Sequence, residues 1–233
     1  MDLSKLNVQY NNAKPFPHIV LDNFFESNLI KNIEKEISEF SQWDGEKTFY
    51  GSQLKRYCGS IDKIPQVSQE LIRMMNGPVF LKILEDLTGI SNLIPDPYLE
   101  GGGYHSIGQG GFLKIHADFN WHKKLNLNRR INLLLYLNTN WRDEWCGHLE
   151  LWSKDMKICE KRISPTANRL VIFSTTDNSF HGHPDPLSCP PDVRRNSIAL
   201  YYYTADRPAS EVVRGKSTQT DYRPRANEVF LKS

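Results

Sequence analysis

No apolar run in the chain approaches the ~18 residues that a membrane span needs. The opening stretch "MDLSKLNVQYNNAKPFPH" has neither an apolar core nor a cleavage-like site, so no secretory leader is expected either. Cysteine is scarce. Cys58, Cys146, Cys159 and Cys189 are widely spread and form no CxxC pair, which leaves zinc-ribbon and thiol-redox readings without support. Reduced thiols in a cytoplasmic setting are the expectation. Net charge is nearly absent too. At +2 over 233 residues, bulk electrostatics favour neither nucleic acid nor an anionic membrane surface as a partner. The chain has no HExxH, no internal repeat and no low-complexity tract. What remains, 39% hydrophobic and 24% charged, is the composition of a globular domain large enough to bury a core.

The length suits one domain over 1–233. "HIVLDNFF" (18–25) reads as an opening strand. "ESNLIKNIEKEISEF" follows as a helix with Leu29, Ile30, Ile33, Ile37 and Phe40 on one face and Ser27 or Asn28 at its N-cap. "PQVSQELIRMM" and "GPVFLKILEDLTGI" read as two more helices. In the second, Pro78 suits the first turn, Gly89 suits the C-cap, and Val79, Phe80, Ile83, Leu84 and Leu87 share a face. Residues 41–62 show no clear period. From about residue 95, "FLKIHAD", "RRINLLLYLN", "GHLELW", "RLVIFS" and "RRNSIALYYYT" are short runs bounded by Gly, Pro, Asn and Asp, the pattern of strands in a sandwich or barrel. The expected class is α+β with a mainly β core at 95–206, and an N-terminal strand and helices over 15–94 packed on it. The tail, 207–233, sets Arg207, Arg214, Lys216, Arg223, Arg225 and Lys232 against Glu211, Asp221 and Glu228. It reads as a solvated or strapped segment, with a lid over an anionic substrate as the weaker alternative.

"FLKIHADFNWHKK" offers three metal ligands within seven residues. On a strand, His116 and Asp118 point to one face. His122 shares their parity, but the polar, Lys-rich sequence around it suggests a loop. Two His and one carboxylate on one face of an octahedron leave three positions open, the arrangement of non-haem iron(II) oxygenases. His-x-Asp by itself is weak; a second one, "HPD" at 183–185, is flanked by prolines and reads as a turn.

The order of later features is more specific. "RLVIFSTTDNSFHGH" is a strand-like run that ends near His181, and "RRNSIALYYYT" is a strand that begins with arginines. With "PFPHIVLDNF", "YHSIGQGGFLKIHAD", "INLLLYLN" and "WCGHLELW", this order resembles the iron(II)/2-oxoglutarate dioxygenases, in particular their prolyl-hydroxylase-like branch. The resemblance covers about residues 15–205. It implies a double-stranded β-helix (jelly-roll, cupin-like) with helices on the major sheet. It implies iron(II) on His116, Asp118 and His181, with His183 as the alternative to His181. It implies 2-oxoglutarate held at its far carboxylate by Arg195, whose competitor Arg194 points to the opposite face; Tyr136, Ser197 and His105 would also meet the co-substrate. His105 stands where the family usually has an aromatic residue. Gly110 and Gly111 are additional, and a usual paired glycine reads Cys146–Gly147.

The implied reaction uses oxygen and 2-oxoglutarate to hydroxylate an unactivated C–H bond, giving succinate and carbon dioxide, with ascorbate as a supporting reductant. Related halogenases carry a small residue where Asp118 stands, so the carboxylate argues for hydroxylation. The substrate is expected to be a peptide or a small molecule: peptidyl or free proline or another amino acid, with a sugar, lipid or other metabolite as the alternative. The loop after the ligand pair is the expected specificity element. Asn120, Trp121 and His122 of this loop, with Tyr201 of the "IALYYY" strand, are candidate substrate contacts, and Lys123, Lys124, Arg129 and Arg130 suit a carboxylate or phosphate. A non-catalytic β-barrel binding module is the reading from another class. It predicts a broken triad or a missing co-substrate arginine, and neither is seen.

Overall fold

Helices predominate among the regular elements before residue 90, and strands predominate after 103. The computed structural model describes residues 2–212, 215–226 and 228; Arg214 and Lys232 of the tail lie outside them. In chain order the elements are α1 (Leu3–Asn12), β1 (His18–Asp22), α2 (Ser27–Ser38), β2 (Gly45–Phe49), β3 (Ser52–Cys58), α3 (Gln66–Met75), α4 (Pro78–Thr88) and β4 (Ile94–Pro95). The second half adds β5 (Gly103–Ala117), β6 (Trp121–His122), β7 (Leu127–Tyr136), β8 (Leu149–Trp152), β9 (Cys159–Ile163), β10 (Arg169–Ser174), β11 (His181–His183), β12 (Arg195–Thr204) and β13 (Asp221–Tyr222).

The main strand order is β1-β10-β7-β12-β5-β11-β8-β9. All pairings are antiparallel, and β5 is the hinge of the path. Its first half pairs β12, with Arg195 opposite Ile107 and Ser197 opposite His105. Its second half pairs β11, with His181 opposite His116. Two glycines let one strand serve both arms. Gly110 has φ +78°, and a Cβ on Gly111 would stand 2.9 Å from the Gln53 carbonyl oxygen. The additional glycines are thus the corner of a fifteen-residue strand. The arms face each other: Leu149 and Leu151 of β8 pack with Tyr136 of β7 and with Val171 and Phe173 of β10. This is the double-stranded β-helix.

The outer face of the larger arm carries the helices. Ile30, Ile33 and Ile37 of α2, Leu71, Ile72 and Met75 of α3, and Leu84 and Leu87 of α4 share one apolar cluster with Leu133, Leu170, Ile198, Leu200 and Tyr202 of the sheet. Truncating such a residue, as in Leu133→Ala, costs about 2–5 kcal/mol. Strand alternation then sends Arg195, Ser197 and Tyr201 of β12 to the inner face. A helix layer on one side therefore positions a polar cavity on the other.

Two local expectations change, and two elements form where no period is visible. α2 begins at Ser27 with Glu26 as N-cap and no capping side chain, so neither Ser27 nor Asn28 caps it. Val79 points outward at 76% exposure, because α4 turns Phe80, Leu84 and Leu87 to the sheet. Residues 41–62, which show no period, hold the β2–β3 hairpin, which pairs with the free edge of β5. α1 has too few apolar residues for a helical stripe. It is held by Asp2, which accepts from the Lys5 amide at 3.2 Å, and by buried Tyr10, whose hydroxyl bonds Ser174 Oγ at 2.7 Å. The tail is strapped. β13 pairs β5 at His116 and Ala117, Arg225 pairs Asp185 at 2.8 Å, and Lys114 pairs Glu228 at 2.8 Å. Among the described residues no helix is long and apolar enough to cross a membrane.

Candidate metal and co-substrate site

A cavity of about 310 Å³ lies between the arms, lined at its centre by His116, Asp118 and His181. One donor atom from each of the three falls within 4.8 Å of the others. β5 supplies His116 and leads directly into Asp118. The short strand β11 supplies His181 directly opposite His116. His183 is one pleat further along, so His181 completes the cluster.

Both imidazoles are oriented by the backbone. His116 Nδ1 lies 2.7 Å from the Lys114 carbonyl oxygen and His181 Nδ1 lies 2.9 Å from that of Ser179. Each Nδ1 therefore carries the hydrogen and donates it, which leaves the Nε2 lone pair to face Asp118, at 3.5 and 3.4 Å. Burial pushes the His181 imidazolium down to about 4, so the ring is neutral near pH 7 and ready to bind a cation. Burial favours a neutral Asp118, but the Arg129 guanidinium and the two imidazoles hold its carboxyl well below the usual range. Arg129 Nη2 is 3.1 Å from Asp118 Oδ2, and Asn132 Nδ2 donates to the same oxygen at 2.7 Å. Two imidazoles with Nε2 turned inward and a fixed carboxylate on one side of a cavity fit a divalent ion with open positions.

The other end of the cavity fits a carboxylate. Arg195 is 5% exposed, and no carboxylate pairs with it among the described residues. Its Nε donates to the Gly147 carbonyl oxygen at 2.7 Å and its Nη2 to the Tyr136 hydroxyl at 3.2 Å. Gly147 has φ +75°, and a Cβ there would press on Arg195 Cδ at 3.1 Å, which accounts for glycine beside the guanidinium. Tyr136 stands behind Arg195, while Ser197 and His105 line the cavity itself. His105 Nε2 lies 3.0 Å from the Gly101 carbonyl oxygen. Arg194 faces away and donates from Nε to Ser106 Oγ at 2.8 Å.

The loop expected to contact substrate is turned to other work. Tyr201 lines the cavity, donating to the Gly101 carbonyl oxygen at 2.8 Å. Asn120, Trp121 and His122 are not among the lining residues. Asn120 anchors the tail, donating to Asp177 Oδ1 at 2.8 Å and accepting from the Ser217 amide at 2.7 Å. Trp121 lies under Lys216, whose Nζ is 3.6 Å from the ring centroid. His122 is fully buried, with Nε2 3.4 Å from Asp96 and from Glu100. The basic residues separate as well. Lys123 and Lys124 are exposed, Arg130 pairs Glu211 at 3.1 Å, and Arg129 is spent on Asp118. Arg129 reaches the cavity through a bulge: the β12–β7 register slips between Tyr202 and Tyr203, which sets Arg129 opposite Tyr203. Sequence reasoning also missed Ser52, Lys55 and the wall position of His183, all of which line the cavity. Its one available signal was "HGH", two histidines of equal parity.

Residues 102–203 match the model described as the 2OG-Fe(II) oxygenase superfamily. The mouse (Mus musculus) protein Prolyl 3-hydroxylase OGFOD1 is 27% identical over 194 residues, covering 81% of this chain and 33% of that one. The chain thus spans about a third of the length of the curated relative it matches. Among solved structures, a prolyl hydroxylase from Trichoplax adhaerens, in complex with a hypoxia inducible factor peptide fragment, superposes with a TM-score of 0.61 at 19% identity, covering 86% of this chain and 89% of that one. A Pseudomonas putida prolyl-4-hydroxylase gives 0.56 at 13% identity, covering 85% and 98%. HygX from Streptomyces hygroscopicus, with nickel, 2-oxoglutarate and hygromycin B bound, gives 0.56 at 12%, covering 88% and 92%.

Proposed function

We propose, from the premise that the chain belongs through residues 102–203 to the 2OG-Fe(II) oxygenase superfamily, that it is an iron(II)- and 2-oxoglutarate-dependent hydroxylase forming one catalytic domain. One observation carries the reading: a His-Asp-His donor set and a buried arginine, without a carboxylate partner among the described residues, share one cavity. His116, Asp118 and His181 hold the iron, and Arg195, oriented by the Tyr136 hydroxyl, holds the far carboxylate of 2-oxoglutarate. Bound there, the pair supplies oxidative decarboxylation to succinate and carbon dioxide, coupled to hydroxylation of a C–H bond. The protein's part is geometry and charge. The Nδ1–H bonds fix both imidazole tautomers. Arg129 and Asn132 fix the carboxylate. The guanidinium meets a carboxylate in a charge-assisted, planar pair.

The substrate is a peptidyl or free proline, or a related amino acid. The likeness to a mouse prolyl 3-hydroxylase over most of this chain supports that choice. Four unpaired cysteines support a reducing, cytoplasmic setting. The test is oxygen-dependent succinate formation from 2-oxoglutarate with iron(II), measured with and without proline peptides. Stimulation by a proline peptide, lost in Asp118→Ala, is expected. Succinate formation that persists in Asp118→Ala would contradict the assignment.

A further inference from the structure

One wall of the cavity is built unlike the rest. Ser52 of β3 and His183 of β11 both pair with Leu113 of β5, one from each side, so their side chains flank it on one face. Both line the cavity. His183 is 3% exposed and Ser52 1%. Ser52 Oγ and both ring nitrogens of His183 have no hydrogen-bond partner among the described residues. Buried polar atoms in folded proteins are nearly always paired, so an unpaired set that lines a cavity marks a place for a ligand.

Lys55 brings charge to this wall. It stands directly opposite Lys47 in the β2–β3 ladder, where like charges repel. Among the described carboxylates, the Asp118 charge acts on Lys55 less strongly than burial and Lys47 do. Burial, and after it Lys47, pushes the Lys55 ammonium down to about 7. The charge count of the cavity says what is missing. Three cations (Lys47, Arg129 and Arg195) and the partly charged Lys55 face two anions, Glu100 and Asp118. Loading does not change the excess, because iron(II) and the 2-oxoglutarate dianion cancel. At least one positive charge still awaits a partner, and an anion beside Lys55 would favour its charged form.

We propose that Lys55, with Ser52 and His183, forms a second anion subsite that takes a carboxylate or phosphate of the primary substrate. The proposal rests on the hydroxylase reading above, in which Arg195 already serves the co-substrate. Lys55 supplies the charge, the Ser52 hydroxyl one hydrogen, and a ring N–H of His183 another. A peptide substrate then carries an acidic or phosphorylated residue beside the residue that is hydroxylated.

The probe is inorganic phosphate, added to the full chain loaded with manganese(II) in place of iron. Manganese and 2-oxoglutarate binding are measured first in the same samples. If manganese does not bind, the hydroxylase reading fails and the subsite falls with it. With both bound, the expected result is saturable manganese broadening of the phosphate phosphorus resonance at saturating 2-oxoglutarate. The affinity for phosphate falls about tenfold or more in Lys55→Met and less in His183→Val, while 2-oxoglutarate affinity stays within about twofold. Acetate competes if the subsite takes carboxylates. Three results overturn the subsite alone. Absent broadening in the wild type means that it binds no oxyanion. Broadening unchanged in Lys55→Met means an adventitious ion only. Displacement of phosphate by 2-oxoglutarate, or a large loss of 2-oxoglutarate affinity in Lys55→Met, means that the wall belongs to the co-substrate.

Discussion

Two corners of one cavity are finished to different degrees. At the metal corner the Nδ1 of His116 and of His181 is committed to a backbone carbonyl, and Asp118 is held by Arg129 and Asn132. At the Ser52–His183 corner the polar atoms are equally buried and have no partner among the described residues. The first corner has its support in place before any ion arrives, which limits reorganisation when it binds. The second is incomplete without a ligand. The contrast separates a pre-organised centre from a surface that waits for its substrate, and each of the following changes strains it at a different point.

The largest effect is expected at the metal. His116→Ala or Asp118→Ala removes one of three ligands, and calorimetric titration should show no specific divalent metal binding. Retained binding would move the centre elsewhere. Arg195→Met comes next. It leaves the far carboxylate of 2-oxoglutarate without its buried charge-assisted pair, a loss of about 2–5 kcal/mol in co-substrate affinity. Unchanged affinity would point to Arg194.

Acid should act on the finished corner through His181. In the metal-free protein its pKa is about 4, against 6.5 in the unfolded chain. As pH falls, the unfolded chain takes the proton first. The stability this residue contributes is complete above pH 6.5 and is lost as pH approaches 4, about 3 kcal/mol in all. Burial lowers His183 and His105 in the same direction. Denaturant unfolding at neutral pH and near pH 4 should show the loss, and His181→Leu should show less of it. Equal losses would remove His181 from the explanation. Arg129→Met tests the support of Asp118. Metal affinity should fall about 10–100-fold with all three ligands intact, and an unchanged value would make the guanidinium a packing group. The smallest effect is expected outside the cavity. Trp121→Phe should leave 2-oxoglutarate affinity within about 0.5 kcal/mol, and a larger change would return the loop to the substrate path.

The same contrast marks what the sequence could reveal. His116 and Asp118 could be put on one face by strand alternation, whereas His181 and Arg195 were chosen over His183 and Arg194 by the family resemblance, because parity leaves those alternatives open. The helices of 27–88 were legible from period and from Gly89. Arg129 was not, because a bulge in the β12–β7 register breaks the parity on which its face depends. Lys55 was not, because its hairpin has no apolar alternation and follows Leu54 at φ 52°. His122 shares parity with the ligands, but it is buried beside Asp96 and Glu100, which belong to a segment more than twenty residues earlier. These residues are set by irregular backbone and distant partners, neither of which leaves a local pattern.

Anaerobic titration of 2-oxoglutarate into the iron(II)-loaded protein, followed by visible absorption, reads the metal and co-substrate site together. A weak charge-transfer band is expected that saturates in the wild type, needs far more 2-oxoglutarate in Arg195→Met, and is absent in His116→Ala. No band in the wild type, or the same band in His116→Ala, would refute iron and 2-oxoglutarate binding at these residues.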